Sequence, residues 1–108
     1  MDERIIILDI NKNILKKERY RVYSKDSLLK VEIIENNKIV NLSSYIAKVY
    51  FELPNKEIIN RPCDIIDNKI NINLTEDLFI NKGKIYFEII LDNSKQKVTT
   101  FLTCLEVI

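Results

Sequence analysis

Apolar and polar residues alternate with a period of two along most of this chain. Leu29, Val31 and Ile33 are interleaved with Lys30 and Glu32, and Val49, Phe51 and Leu53 with Tyr50 and Glu52. Ile70, Ile72 and Leu74 alternate with Asn71 and Asn73, and Ile85, Phe87, Ile89 and Leu91 fall on one side of the run KIYFEIILD. That period turns successive side chains to opposite faces of an extended strand. No stretch sustains helical spacing. Asparagine-rich breaks, ENNK after Glu35 and DNK after Ile66, separate the runs, and asparagine tolerates the left-handed backbone that tight turns need.

Less regular segments extend this reading. RIIILDI, Arg4 to Ile10, is continuously apolar and predicts a strand in contact on both faces, followed by a second extended piece at Ile14 and Leu15. ERYRVYS, Glu18 to Ser24, predicts a half-exposed strand with Tyr20 and Val22 on one side and Arg19, Arg21 and Tyr23 on the other. Pro62, inside EIINRPCDII, points to an edge position or a bulge, because proline has no N–H for the ladder. LTEDLFINKG predicts one helical turn, with Thr75 as its N-cap and Glu76 and Asp77 in its first turn. Gly83, the single glycine of the chain, follows that turn and supplies the positive φ needed to enter the next strand. DNSK then makes a hairpin into one final strand, KVTTFLTCLEVI.

The sum is an all-β chain of about seven to eight strands with one short helical turn. Two packed antiparallel sheets would bury both sets of inward faces, in a single β-sandwich domain spanning residues 1–108. Such a domain stands without a cofactor, and none is expected.

Composition excludes more than it assigns. Seventeen basic and sixteen acidic side chains leave a net charge of +1, so no global field draws the chain to nucleic acid or an anionic membrane. The opening MDERIIILDINK fits neither a signal peptide nor a membrane span, which implies an origin in the cytoplasm. There is no histidine, and Cys63 and Cys104 alone cannot close a zinc site. The favoured reading of both cysteines is as small buried apolar side chains, with a disulfide as the minority reading. The serines have no histidine to activate them, and one glycine cannot build a phosphate loop. Neither Glu76/Asp77 nor Asp64/Asp67 lies in a context for acid–base work, so no catalytic, cofactor or metal residue is assigned and no enzyme is expected.

Charge is nonetheless segregated locally. Residues 12–25 hold six basic side chains and one acidic one, leaving eleven basic and fifteen acidic elsewhere. An ordinary solvated strand is the leading reading of this stretch; after it, basic residues interleaved with Tyr20 and Tyr23 fit a surface for an acidic protein partner better than a stacking platform for nucleic acid. The candidate partner-binding residues are Ile5 and Ile7 on the first strand and Arg19, Tyr20, Arg21 and Tyr23 on the second, acting by edge pairing or through a side-chain face.

Several segments carry a family resemblance. YSKDSLLKVEI, NNKIVNLSSYIAKVYFELPNKEII, INLTEDLFINKGKIYFEIIL with its Leu74, Leu78, Gly83 and Tyr86, and KQKVTTFLTCLEV follow one another as in the N-terminal domain of phage baseplate upper proteins. The resemblance starts at Tyr23 and covers most of the remaining chain. It implies an immunoglobulin-like sandwich in a virion tail, attaching a tail-tip or receptor-binding assembly to the central baseplate. It also implies other baseplate proteins as partners and a homo-oligomeric assembly in a longer protein. The competing expectation is a free-standing carbohydrate- or nucleic-acid-binding module, favoured by aromatic side chains and opposed by the near-zero charge and the lack of tryptophan.

Overall fold

The computed structural model describes residues 2–13 and 17–108. Ten strands follow in order: β1 Asp2–Asp9, β2 Lys17–Tyr20, β3 Ser27–Glu35, β4 Lys38–Ile39, β5 Ile46–Glu52, β6 Ile58–Ile66, β7 Lys69–Leu74, β8 Gly83–Asp92, β9 Lys97–Thr99 and β10 Thr103–Val107. A short 3-10 helix, Glu76–Phe79, joins β7 to β8. The expected extended piece at Ile14 and Leu15 lies outside the described residues.

The strands form one curled, hydrogen-bonded path, β1-β3-β7-β6-β5-β8-β10-β2, with β4 beside β3 and β9 beside β8. This corrects the expectation of two purely antiparallel sheets with seven to eight strands. Both ends of the path are parallel pairs, β1 with β3 and β2 with β10. Parallel neighbours cannot be joined by a tight hairpin, so the chain must travel before each pair forms. The bend lies in β6, which has one partner at a time: it pairs with β5 through Cys63 and with β7 from Asp64. Pro62 stands in the first half, opposite Lys48 of β5, and among the described residues its other side borders no strand. The missing N–H is therefore tolerated.

One core fills the curl. Leu29, Val31 and Ile33 of β3, Val49 and Phe51 of β5, Ile70, Ile72 and Leu74 of β7, and Ile85, Phe87, Ile89 and Leu91 of β8 are all buried in it. Each contributes roughly 1.5–3 kcal/mol of transfer free energy. Two-residue turns hold the register at Asn36-Asn37 and Asp67-Asn68, all four with positive φ. The Asn68 side chain also accepts from Leu42 N at 2.7 Å and donates to Val40 O at 2.9 Å, tying the segment before β5 to the β6–β7 turn.

Three local expectations change. β1 is buried on one face only, because Ile6 and Leu8 enter the core while Ile5 and Ile7 face outward. The final strand is two, β9 and β10, both on the same side of β8, with Ile90 opposite Thr99 and Phe87 opposite Thr103. Three residues oppose two there, a bulge. Thr100 bridges it, with its N–H on Ile89 O at 3.0 Å and its buried hydroxyl accepting from Ile89 N at 2.9 Å. Finally, β2 ends at Tyr20 and residues 21–24 form a turn, so ERYRVYS is only partly strand.

Candidate docking surface at the seam of the curled sheet

The first and last strands of the path, β1 and β2, approach each other without forming a backbone ladder. Ile10 N donates to Ile34 O at 3.1 Å. By alternation, Glu3, Ile5 and Ile7 turn their backbone groups away from β3, towards the open edge. The chain then folds back: Asp9 and Lys12 form an antiparallel bridge, and Asn11 N donates to Asp9 Oδ1 at 2.8 Å.

Arg4 spans the far end of this seam. It lies on the same side of β1 as Ile6 and Leu8, where alternation would place an apolar residue. Its guanidinium instead gathers acceptors: Nη1 reaches Arg19 O at 2.7 Å and Glu18 Oε2 at 3.2 Å, and Nε reaches Asp2 Oδ2 at 3.1 Å. The same group lies 3.9 Å from the centre of the Tyr20 ring. A planar cation with five donors can satisfy several oxygens and cover an aromatic face at once. Arg4 thus replaces part of a missing ladder. The sequence signal was available, since a charge on the core-facing period of a strand needs partners.

Tyr20 must be corrected as a docking residue. It is 4 % exposed and stacked on Phe79, with ring centres 4.9 Å apart and planes 21° from parallel. With Arg4 on its other face the ring is enclosed, and burial pushes its phenol pKa up. It is a core residue.

The remaining candidates divide between two places. Ile5 is 61 % and Ile7 38 % exposed on the outer face of β1. Arg19 and Arg21 are exposed at the end of β2, across the seam, and Arg19 Nε meets Glu106 Oε1 at 3.2 Å. Asp2 and Glu18 thus pair with Arg4, while Glu106 answers one of the basic side chains that the linear sequence concentrates in residues 12–25. Tyr23 lies elsewhere, in a cleft of about 400 Å³ lined also by Lys25, Glu76, Asp77 and Ile80. Arg61 donates to Thr75 Oγ1 at 2.7 Å and to Asp77 Oδ2 at 3.1 Å, and the Thr75 hydroxyl bonds the same carboxylate. The Thr75 hydroxyl holds the Asp77 pKa below the usual carboxylate value; burial opposes it, and the Arg61 charge adds to the lowering. Thr75 precedes the helix as expected but makes no side-chain cap.

Both cysteines are half-buried. Burial, with Asp64 nearby, pushes the Cys63 thiol up to about 12, so it stays protonated at neutral pH. It is a packing residue rather than a nucleophile.

The chain matches no protein family, and no curated protein matches it. Among solved structures it is similar to the N-terminal domain of phage TP901-1 ORF48, at 14% sequence identity and a TM-score of 0.75. The likeness covers 99% of this chain and 98% of that one. The curled all-β arrangement is therefore shared from end to end with a phage protein domain.

Proposed function

We propose that this chain is a structural, non-catalytic domain of a phage tail baseplate, which attaches a tail-tip or receptor-binding assembly to the central baseplate. The observation that carries the reading is the end-to-end fold likeness to the N-terminal domain of a phage protein. The segment-by-segment resemblance to baseplate upper proteins supports it from the sequence side. On this reading the domain resides in the virion, works within a homo-oligomeric assembly, and belongs with immunoglobulin-like sandwiches, the two halves of its curled sheet enclosing one core.

Docking would use the outer face of β1 with Ile5 and Ile7, flanked by Arg19 and Arg21. Edge pairing at β1 has less support, because the chain turns back at Asp9 and Lys12 and Arg4 occupies the seam. Exposed isoleucines beside arginines make an apolar centre with a charged border, the composition of a protein-binding patch. Co-purification with the central baseplate protein of the same phage tests this. The wild-type domain is expected to be retained, and the Ile5→Asp, Ile7→Asp double variant, folded by circular dichroism, to be lost. Failure of the wild-type domain to bind that protein or intact particles would remove the reading.

A further inference from the structure

We propose that the cleft between Tyr23 and the 3-10 helix is a binding site for a neutral carbohydrate ring, with Tyr23 as its stacking platform. Arg21 O accepts from Ser24 N at 3.1 Å, closing a tight turn whose third residue is Tyr23, and Tyr23 has φ of +61°. Glycine or asparagine ordinarily fills that position, since a bulky side chain pays a steric penalty there. Among the described residues, the other non-glycine positions with positive φ are Asn36, Asn37, Lys56, Asp67, Asn68 and Ser94, none of them aromatic.

The turn is not merely tolerated but held. Val22 N donates to Ile108 O at 2.8 Å and Tyr23 N to Phe79 O at 2.7 Å, while Asp26 Oδ1 accepts from Glu76 N at 2.9 Å, tying the segment after the turn to the 3-10 helix. These bonds leave Tyr23 73 % exposed. The residue is thus held in an unfavourable conformation with its side chain unused by the core. Such strain clusters at binding sites.

The chemistry of the walls selects the ligand. Ile80 adds an exposed apolar surface, Glu76 and Asp77 supply acceptors, and Lys25 supplies a donor. An anion would meet the two carboxylates, and a cation would meet Lys25 and the Arg61 that already pairs with Asp77. A neutral ligand with one apolar face and a rim of hydroxyls meets neither obstacle. A pyranose ring has that form, its C–H face against the negative face of the tyrosine ring and its hydroxyls donating to the carboxylates. A cleft of about 400 Å³ falls at the small end of ordinary ligand sites and accommodates one or two sugar rings.

The test is a titration of the isotope-labelled domain, followed by amide chemical shifts, with methyl glucoside, methyl galactoside, rhamnose, N-acetylglucosamine and galacturonate. At least one neutral sugar is expected to give saturable shifts at millimolar concentration, centred on Tyr23, Lys25, Glu76, Asp77 and Ile80, with galacturonate weaker. Tyr23→Phe should retain that binding, whereas Tyr23→Gly should weaken it about tenfold or more while leaving the thermal midpoint equal or higher, because glycine relieves the turn. Absence of saturable shifts with every neutral sugar, stronger binding of galacturonate, or undiminished binding by Tyr23→Gly would each overturn the proposal. Shifts in this cleft produced only by the baseplate protein would overturn it too, assigning Tyr23 to protein contact instead.

Discussion

Two tyrosines three positions apart have opposite fates. Tyr20 and Tyr23 read alike in the sequence, as aromatics in a basic stretch. The first is enclosed between Arg4 and Phe79, and the second projects from a strained turn. Truncating the enclosed ring should therefore be costly. Tyr20→Ala is expected to cost about 3–5 kcal/mol in urea unfolding, as for other buried aromatics, whereas Arg19→Ala one residue away should change stability by less than about 1 kcal/mol, since exposed ion pairs contribute little. Equal effects at the two positions would contradict the enclosure of Tyr20. Alternation correctly put Tyr20 on the side of Val22, away from Arg19 and Arg21. What alternation could not show is how far the sheet curls. That curvature brings β1 and the 3-10 helix over the Tyr20 ring, and it depends on contacts between residues far apart in sequence.

Among the elements, strands with a strict two-residue period were legible because one face of each meets the core. β3, β5, β7 and β8 follow their predicted inward residues, and the asparagine turns fall where tight hairpins need them. The break between β9 and β10 was hidden, since Thr100 is a good strand residue and its hydroxyl takes a backbone role only when Ile89 is opposite. Gly83 had a second reason for being glycine that the sequence could not show. Its φ is +133°, and a methyl group there would sit 3.1 Å from Pro54 Cβ and 3.2 Å from Pro54 Cγ, at the end of β5. Gly83→Ala is thus expected to destabilise the domain by about 1–3 kcal/mol through backbone strain alone. Adding Pro54→Ala should recover only part of that loss. Full recovery in urea melts would show that crowding, rather than φ, requires the glycine.

Across the whole molecule, parallel pairing was the least legible feature. β1 meets β3 and β2 meets β10 through registers that no local pattern encodes, and the second joins residues from opposite ends of the chain. A fold so dependent on distant pairing should form slowly, on the millisecond-to-second scale of non-local β topologies. Because both halves of the path share one cluster of buried side chains, unfolding should be a single transition. Near-ultraviolet circular dichroism of the tyrosines and far-ultraviolet dichroism of the strands are expected to coincide in urea. Two separated transitions would mean that each half keeps a core of its own.

β10 lies between β8 and β2, and Ile108 is held at its end by bonds to Tyr20 O and from Val22 N. Tension applied at Ile108 along the axis of β10 would shear that strand against two neighbours at once. The bonds on both flanks would then have to give way together rather than one after another, so that end of the domain is built to withstand a pull.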